Sequence, residues 1–177
     1  VGRDPFTHLA WLGSQTKTLQ FATGIASIFS RHAGPMMQAT NTLAEQLEGR
    51  FVLGLGVSHE PMVAGLRKLD YSKPLTQMKA YLEAMDASPY MAVPPTEKPL
   101  RLLAALGPKL LELSATAADG AHPYFVTPEH TAEARAAIGP DKLLCVEQKV
   151  ILSTDADAAR AAANVQIDRY AGLPNYR

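Results

Sequence analysis

Along the chain the apolar positions switch period repeatedly, from the three-to-four spacing of a helix face to the near-continuous runs of a buried strand. Asp4 and Pro5 supply the N-cap and first-turn residues of a helix running to Gln15. Residues 19–29, apolar and partly β-branched, are predicted as a strand, closing at Gly34-Pro35, where proline suits the start of a helix. From Met36, residues Ala39, Leu43 and Leu47 recur at helical spacing, and Gly49 supplies a C-terminal stop. Residues 51–55 are almost continuously apolar, the pattern of a strand covered by helices on both faces.

After a long irregular segment, Pro74 opens a helix with Leu75, Met78, Leu82 and Met85 on one stripe, and four prolines between 89 and 99 mark a second irregular stretch. Residues 100–105 read as a buried strand. A helix with Leu110, Leu113 and Ala117 follows from Pro108, then a short strand over 121–126. Thr127-Pro128-Glu129 has the form of an N-cap, a first-turn proline and a first-turn acid for a helix to Ile138. A strand over 143–152 and a Thr154-capped helix, with Ala159, Ala163, Ile167 and Tyr170 on one face, complete the reading.

Five strands alternating with helices define an α/β chain with crossover connections. Two architectures fit: an open doubly wound sheet, or part of a (β/α)₈ barrel, which needs eight units and about 250 residues. The chain opens at Val1 without a Met and stops at Arg177, so it reads as a single-domain segment, 1–177, of a longer protein.

Composition narrows the function classes. Lys and Arg number 17 and Asp and Glu 17, so there is no basic excess to neutralise phosphates, which argues against nucleic acid and anionic membrane as partners. No apolar run approaches the ~18 residues of a membrane span. Cys145 is the single cysteine, which leaves no internal disulfide and no thiolate zinc site, fits a reducing, cytoplasmic setting, and reads most simply as a core residue.

Three segments fall where strands end, the edge at which ligands bind in either architecture. Gly54-Leu55-Gly56-Val57-Ser58-His59 begins like a dinucleotide fingerprint, but His59 stands where the third glycine belongs and the next helix starts too far away. Small residues there let a flat ring or a phosphate approach the backbone. Ala105-Leu106-Gly107-Pro108-Lys109 passes from strand to helix within a few residues, so the unpaired first-turn N–H groups favour an anion, although a plain strand-helix turn has the same composition. Gly24, inside Thr23-Gly24-Ile25-Ala26-Ser27, marks a bulge or a close ligand. His59 and His122 are the imidazoles near strand ends, candidates for acid, base or hydrogen-bond donor. No nucleophile elbow, phosphate loop or paired-histidine metal spacing occurs.

The ordered set TGIAS at 23–27, EGRFVLGLGVSHEP at 48–61, AALGPKLLELSATAADGAHPYFV at 104–126 and EQKVIL at 147–152 resembles the luciferase-like monooxygenase superfamily, in particular its actinobacterial branch of coenzyme F420-dependent oxidoreductases. The resemblance implies a (β/α)₈ TIM barrel, present here from about the third strand to the seventh. It implies hydride transfer between F420, or alternatively FMN, and a small organic substrate, with a non-catalytic flavin-binding paralogue as the third reading. A non-prolyl cis peptide at Gly24-Ile25, with Ala26 beside it, would back the ring. Gly56, Val57 and Ser58 would follow the next strand, and Ala105, Leu106, Gly107 and Pro108 would form the phosphate turn. His59 and His122 are the catalytic candidates, no metal is implied, and a homodimer is the default assembly.

Overall fold

In the computed structural model, which describes residues 2–176, Asp4 accepts the Thr7 N–H at 2.9 Å and opens α1 (Pro5–Ser14). The apolar stretch that follows is not one strand. It pairs at β1 (Phe21–Ala22) and again at β2 (Ala26–Ser27), and both pieces lie parallel to β3 (Phe51–Gly56). Between them α2 (Ala33–Gln46) starts before the expected Gly34-Pro35 boundary, because a proline in the first turn gives up an N–H that no helical carbonyl would have received. Beyond β3 the segment read as irregular contains a π-helical turn at Pro61–Leu66, before α3 (Pro74–Asp86).

β4 (Leu100–Leu103), α4 (Pro108–Ala117), β5 (Gly120–Ala121), α5 (Pro128–Ile138), β6 (Leu143–Leu144) and α6 (Ala156–Ala171) continue the alternation. All strand pairs are parallel, in the order β1 and β2 beside β3, then β4, β5 and β6, which makes five consecutive positions of a partial (β/α)₈ barrel. The open doubly wound alternative is thereby set aside. No helix among the described residues is long and apolar enough to cross a membrane.

Alternation along β3 divides its side chains. Phe51, Leu53 and Leu55 are buried against Met36, Leu43 and Leu47 of the α2 region and Met78 and Leu82 of α3. Val52 and Gly54 face the opposite side, where they line a second cleft together with Leu102 and Cys145. Cys145, expected in the core, is exposed there. A smaller core of Ala105, Leu111, Ala121, Ala134 and Ile138 lies between α4 and α5.

Three late boundaries also move. The strand expected over 121–126 pairs only at Gly120–Ala121, and the one over 143–152 only at Leu143–Leu144, with a single further bridge between Tyr124 and Glu147. Past Glu147 the chain has no strand beside it among the described residues, and Val150 and Leu152 are exposed. Asp155 rather than Thr154 caps α6, accepting the N–H groups of Asp157 and Ala158 at 3.0 Å. On α6 the half-buried face is Ala159, Ala163, Gln166 and Tyr170, with Ile167 rotated outward by one helical position.

Arg50 stitches the entry to the sheet. Its guanidinium donates to the carbonyl oxygens of Leu19 at 2.8 Å, Thr16 at 3.2 Å and Gly13 at 3.4 Å, and covers the Phe21 ring with its centroid 5.7 Å away. Replacing Arg50 with Ala is expected to destabilise the fold by about 2 kcal/mol in urea unfolding, and Lys to recover little of it, because an ammonium cannot span three diverging carbonyls.

Candidate functional site

The interruption between β1 and β2 is built from side chain and backbone together. Thr23 Oγ1 accepts the Gly54 N–H at 2.9 Å and donates to the Gly54 carbonyl oxygen at 2.8 Å, so one hydroxyl replaces two ladder bonds. Thr23 is buried, and a Cβ at Gly54 would collide with its carbonyl oxygen. The Gly24-Ile25 peptide that follows is cis. Ile25 then packs where a side chain at Gly56 would stand, with Cδ1 2.6 Å from the position of a Cβ.

This peptide forms one wall of a cavity of about 880 Å³ at the carboxyl ends of the strands. Of the residues expected at a ligand site, Gly24, Ile25, Val57, Ser58, His59, Leu106, Gly107, Pro108 and His122 all line it. Ala26, Gly56 and Ala105 do not. Ala26 and Ala105 are buried in the two cores, and Gly56 lies behind Ile25.

Ser58 turns the chain into the cavity with a left-handed φ of 61°, and the Tyr71 hydroxyl donates to its carbonyl oxygen at 2.8 Å. The π-helical turn then anchors on His59, whose carbonyl oxygen accepts the N–H groups of Met62 and Val63, both at 3.0 Å. The His59 ring meets Tyr170 and Tyr176 at centroid separations of 6.3 and 6.1 Å and comes within 3.3 Å of Asn175 Nδ2. Burial holds its imidazole below the ordinary value, favouring the neutral ring. Tyr124 and Phe125, the latter at a left-handed φ of 56°, extend the same aromatic group. Burial pushes the Tyr124 phenol up to about 12, so it keeps its proton.

On the opposite wall α4 begins at Gly107, which has an ordinary extended φ of −85°. Its carbonyl oxygen accepts from both Leu110 and Leu111 at 3.1 Å, and nothing lies within 4 Å of where a Cβ would project. The preceding Leu106 carbonyl oxygen is held by His130 Nε2–H at 2.7 Å. Lys109 adds a cation to this helix start.

His122 carries a third group of polar contacts. Its Nδ1–H donates to the Cys145 carbonyl oxygen at 2.6 Å, leaving Nε2 toward the cavity, 3.7 Å from Glu147 Oε2. Glu147 Oε1 in turn pairs with Lys149 Nζ at 3.0 Å. Glu147, Lys149 and the tyrosines 71, 124, 170 and 176 were not among the site candidates drawn from sequence. The alternate charges at 147 and 149 were the available signal, because period two places them on one side of an extended chain.

With this geometry in place, the comparisons with known proteins fit one family. The luciferase-like monooxygenase family profile matches residues 1–177, and the chain belongs to that family. It is 28% identical over 213 residues to a protein of Mycobacterium tuberculosis assigned as a coenzyme F420-dependent oxidoreductase, covering 97% of this chain and 61% of that one. The F420-dependent tetrahydromethanopterin reductase of Methanopyrus kandleri superposes with a TM-score of 0.78 at 14% identity, over 98% of this chain and 62% of that one. The FMN-bound oxygenating component of 3,6-diketocamphane monooxygenase from Pseudomonas putida gives 0.66 at 15% identity, over 95% and 60%. The chain thus spans about three-fifths of the length of these relatives.

Two outcomes follow from the geometry. Thr23→Val is expected to cost about 2 kcal/mol in urea unfolding by leaving both Gly54 backbone groups unpaired, whereas Thr23→Ser retains most of the stability. In an NMR pH titration His59 should titrate below the free-imidazole value. Since its folded value is depressed, the associated stability is present above about pH 6.5 and is lost as pH falls through the folded value.

Proposed function

We propose that the cavity binds a deazaflavin of the coenzyme F420 type and that the protein is an oxidoreductase moving a hydride between the ring and a small organic substrate. The observation that carries this reading is the pairing of two walls. One is the Gly24-Ile25 peptide, which carries no side chain at Gly24. The other is a helix start with open space at Gly107. A planar ring fits against the first, and a phosphate fits the unpaired N–H groups and positive end of α4 at the second. The cavity volume of about 880 Å³ lies within the range of cofactor pockets.

The bound ring supplies the hydride chemistry, and the protein supplies binding, orientation and exclusion of water. Gly24 and Ile25 would support one face of the ring, and Leu106, Gly107 and Pro108 would hold the phosphate. Val57, Ser58 and the neutral His59 would shape the side open to substrate, with His59 and His122 as the titratable groups within its reach. Tyr71 fixes Ser58, and Tyr170 and Tyr176 limit water access to His59. FMN is the second reading, favoured by the FMN-bound fold neighbour and by a phosphate site that suits either cofactor.

Gly107 is a clean test because its backbone needs no glycine and no atom crowds its Cβ direction. Gly107→Ala is expected to fold and to bind nearly as the wild type. Gly107→Asp is expected to fold equally well and to lose about tenfold or more in cofactor affinity, since it sets a carboxylate against the phosphate. Parallel absorbance and fluorescence titrations with F420 and FMN measure both variants. Preferential F420 binding supports the leading reading, and preferential FMN binding supports the monooxygenase. An unchanged dissociation constant for a folded Gly107→Asp variant rejects the phosphate assignment. Binding without turnover over a broad substrate panel identifies a non-catalytic binder.

A further inference from the structure

We propose that Glu147, with His122 and Lys149 on either side, is the subsite for the imide edge of the bound ring. This inference rests on the cofactor reading above. Both F420 and FMN present the same edge on their pyrimidine ring: a carbonyl, an N–H and a second carbonyl, or acceptor, donor, acceptor.

The three side chains form a row at the cavity wall. His122 Nε2 lies 3.7 Å from Glu147 Oε2, and Lys149 Nζ lies 3.0 Å from Glu147 Oε1. A carboxylate therefore stands between two nitrogens. The Oε2 contact to His122 is too long for a direct hydrogen bond, so among the described residues that oxygen has capacity for a ligand donor. Because Nδ1–H is committed to the Cys145 carbonyl oxygen, a proton taken up by His122 must sit on Nε2, facing the cavity. In that form the row reads donor, acceptor, donor, the complement of an imide edge.

Position agrees with chemistry. Measured from where a Cβ on Gly24 would stand, His122 Nε2 is 3.4 Å away and Glu147 Oε2 is 3.6 Å away. His122 and Glu147 thus stand beside the peptide against which the ring is proposed to lie. The support is rigid on the main-chain side. Glu147 N–H donates to the Pro123 carbonyl oxygen at 2.9 Å, and Phe125 N–H donates to that of Glu147 at 3.0 Å. The Tyr124 and Tyr176 phenols also face Glu147, and Lys149 Nζ lies 5.4 Å from the Tyr124 ring centroid.

The test is a binding measurement and needs no turnover: titrate the chain with FMN, with F420 and with FMN methylated at the imide nitrogen. Methylation is expected to weaken FMN binding by about tenfold or more in the wild type. Glu147→Leu, which leaves the backbone bonds of residue 147 in place, should bind FMN and methylated FMN within about twofold of each other. Glu147→Gln, which keeps a neutral acceptor, should retain part of the discrimination. Saturable FMN binding with equal affinity for the methylated form overturns the subsite and leaves the cofactor reading standing, as does discrimination that survives Glu147→Leu. Failure of F420 and FMN alike to bind the folded chain overturns the cofactor reading and the subsite with it.

Discussion

The reciprocal hydrogen bonds between Thr23 Oγ1 and the Gly54 backbone, 2.9 and 2.8 Å long, fix the relation between scaffold and site. A parallel strand that pairs continuously spends its peptide groups on its neighbours and has none to present to a ligand. Here the ladder stops after Ala22 and resumes at Ala26, and the Thr23 hydroxyl satisfies the groups left over. The consequence reaches across β3. Gly54 can carry no side chain because the Thr23 carbonyl oxygen occupies its place, and Gly56 can carry none because Ile25 does. The other face of β3 then holds the large residues Phe51, Leu53 and Leu55 and anchors the main core. One six-residue strand thereby holds the helices on one side and frees a cis peptide on the other.

Around that peptide the cavity collects elements that are individually unfavourable. Ser58 and Phe125 adopt left-handed backbone conformations that side-chain-bearing residues rarely take, and each is over-determined by its neighbours. Tyr71 holds the Ser58 carbonyl, and Tyr124, Tyr170 and Tyr176 pack round Phe125. Burial raises the Tyr124 and Tyr176 phenols and depresses His59, so this wall is neutral near pH 7. The charges that remain at the cavity are Glu147, Lys149 and Lys109, the two lysines reaching solvent.

Local chemistry made the helices legible. Asp4, Pro74, Pro108 and Thr127-Pro128 mark starts that the structure keeps, because capping and proline placement are decided within one turn. Strand ends were less legible, since pairing depends on what lies alongside. Residues 150–152 are as apolar as a strand but have no neighbouring strand to pair with among the described residues, and a single hydroxyl at Thr23 divides the run 19–29. Gly24 and Gly107 line the cavity as expected from their places at strand ends, whereas Gly56 lies behind Ile25. Glu147 was signalled only by the alternate charges at 147 and 149, because its significance depends on its lying beside His122, 25 residues earlier in the chain, through the Tyr124–Glu147 bridge.

The two walls of the cavity differ in how they respond to change, and this separates architecture from recognition. At Gly54 and Gly56 the missing side chains are demanded by protein atoms already in contact, so these positions belong to the fold whether or not a ligand is present. At Gly107 the space is open, the backbone is ordinary, and no part of the protein requires glycine there. That open position lies at the start of α4, where unpaired N–H groups favour negative charge. The Gly24-Ile25 peptide joins the two cases. It is shaped by the contacts behind it and faces the cavity in front.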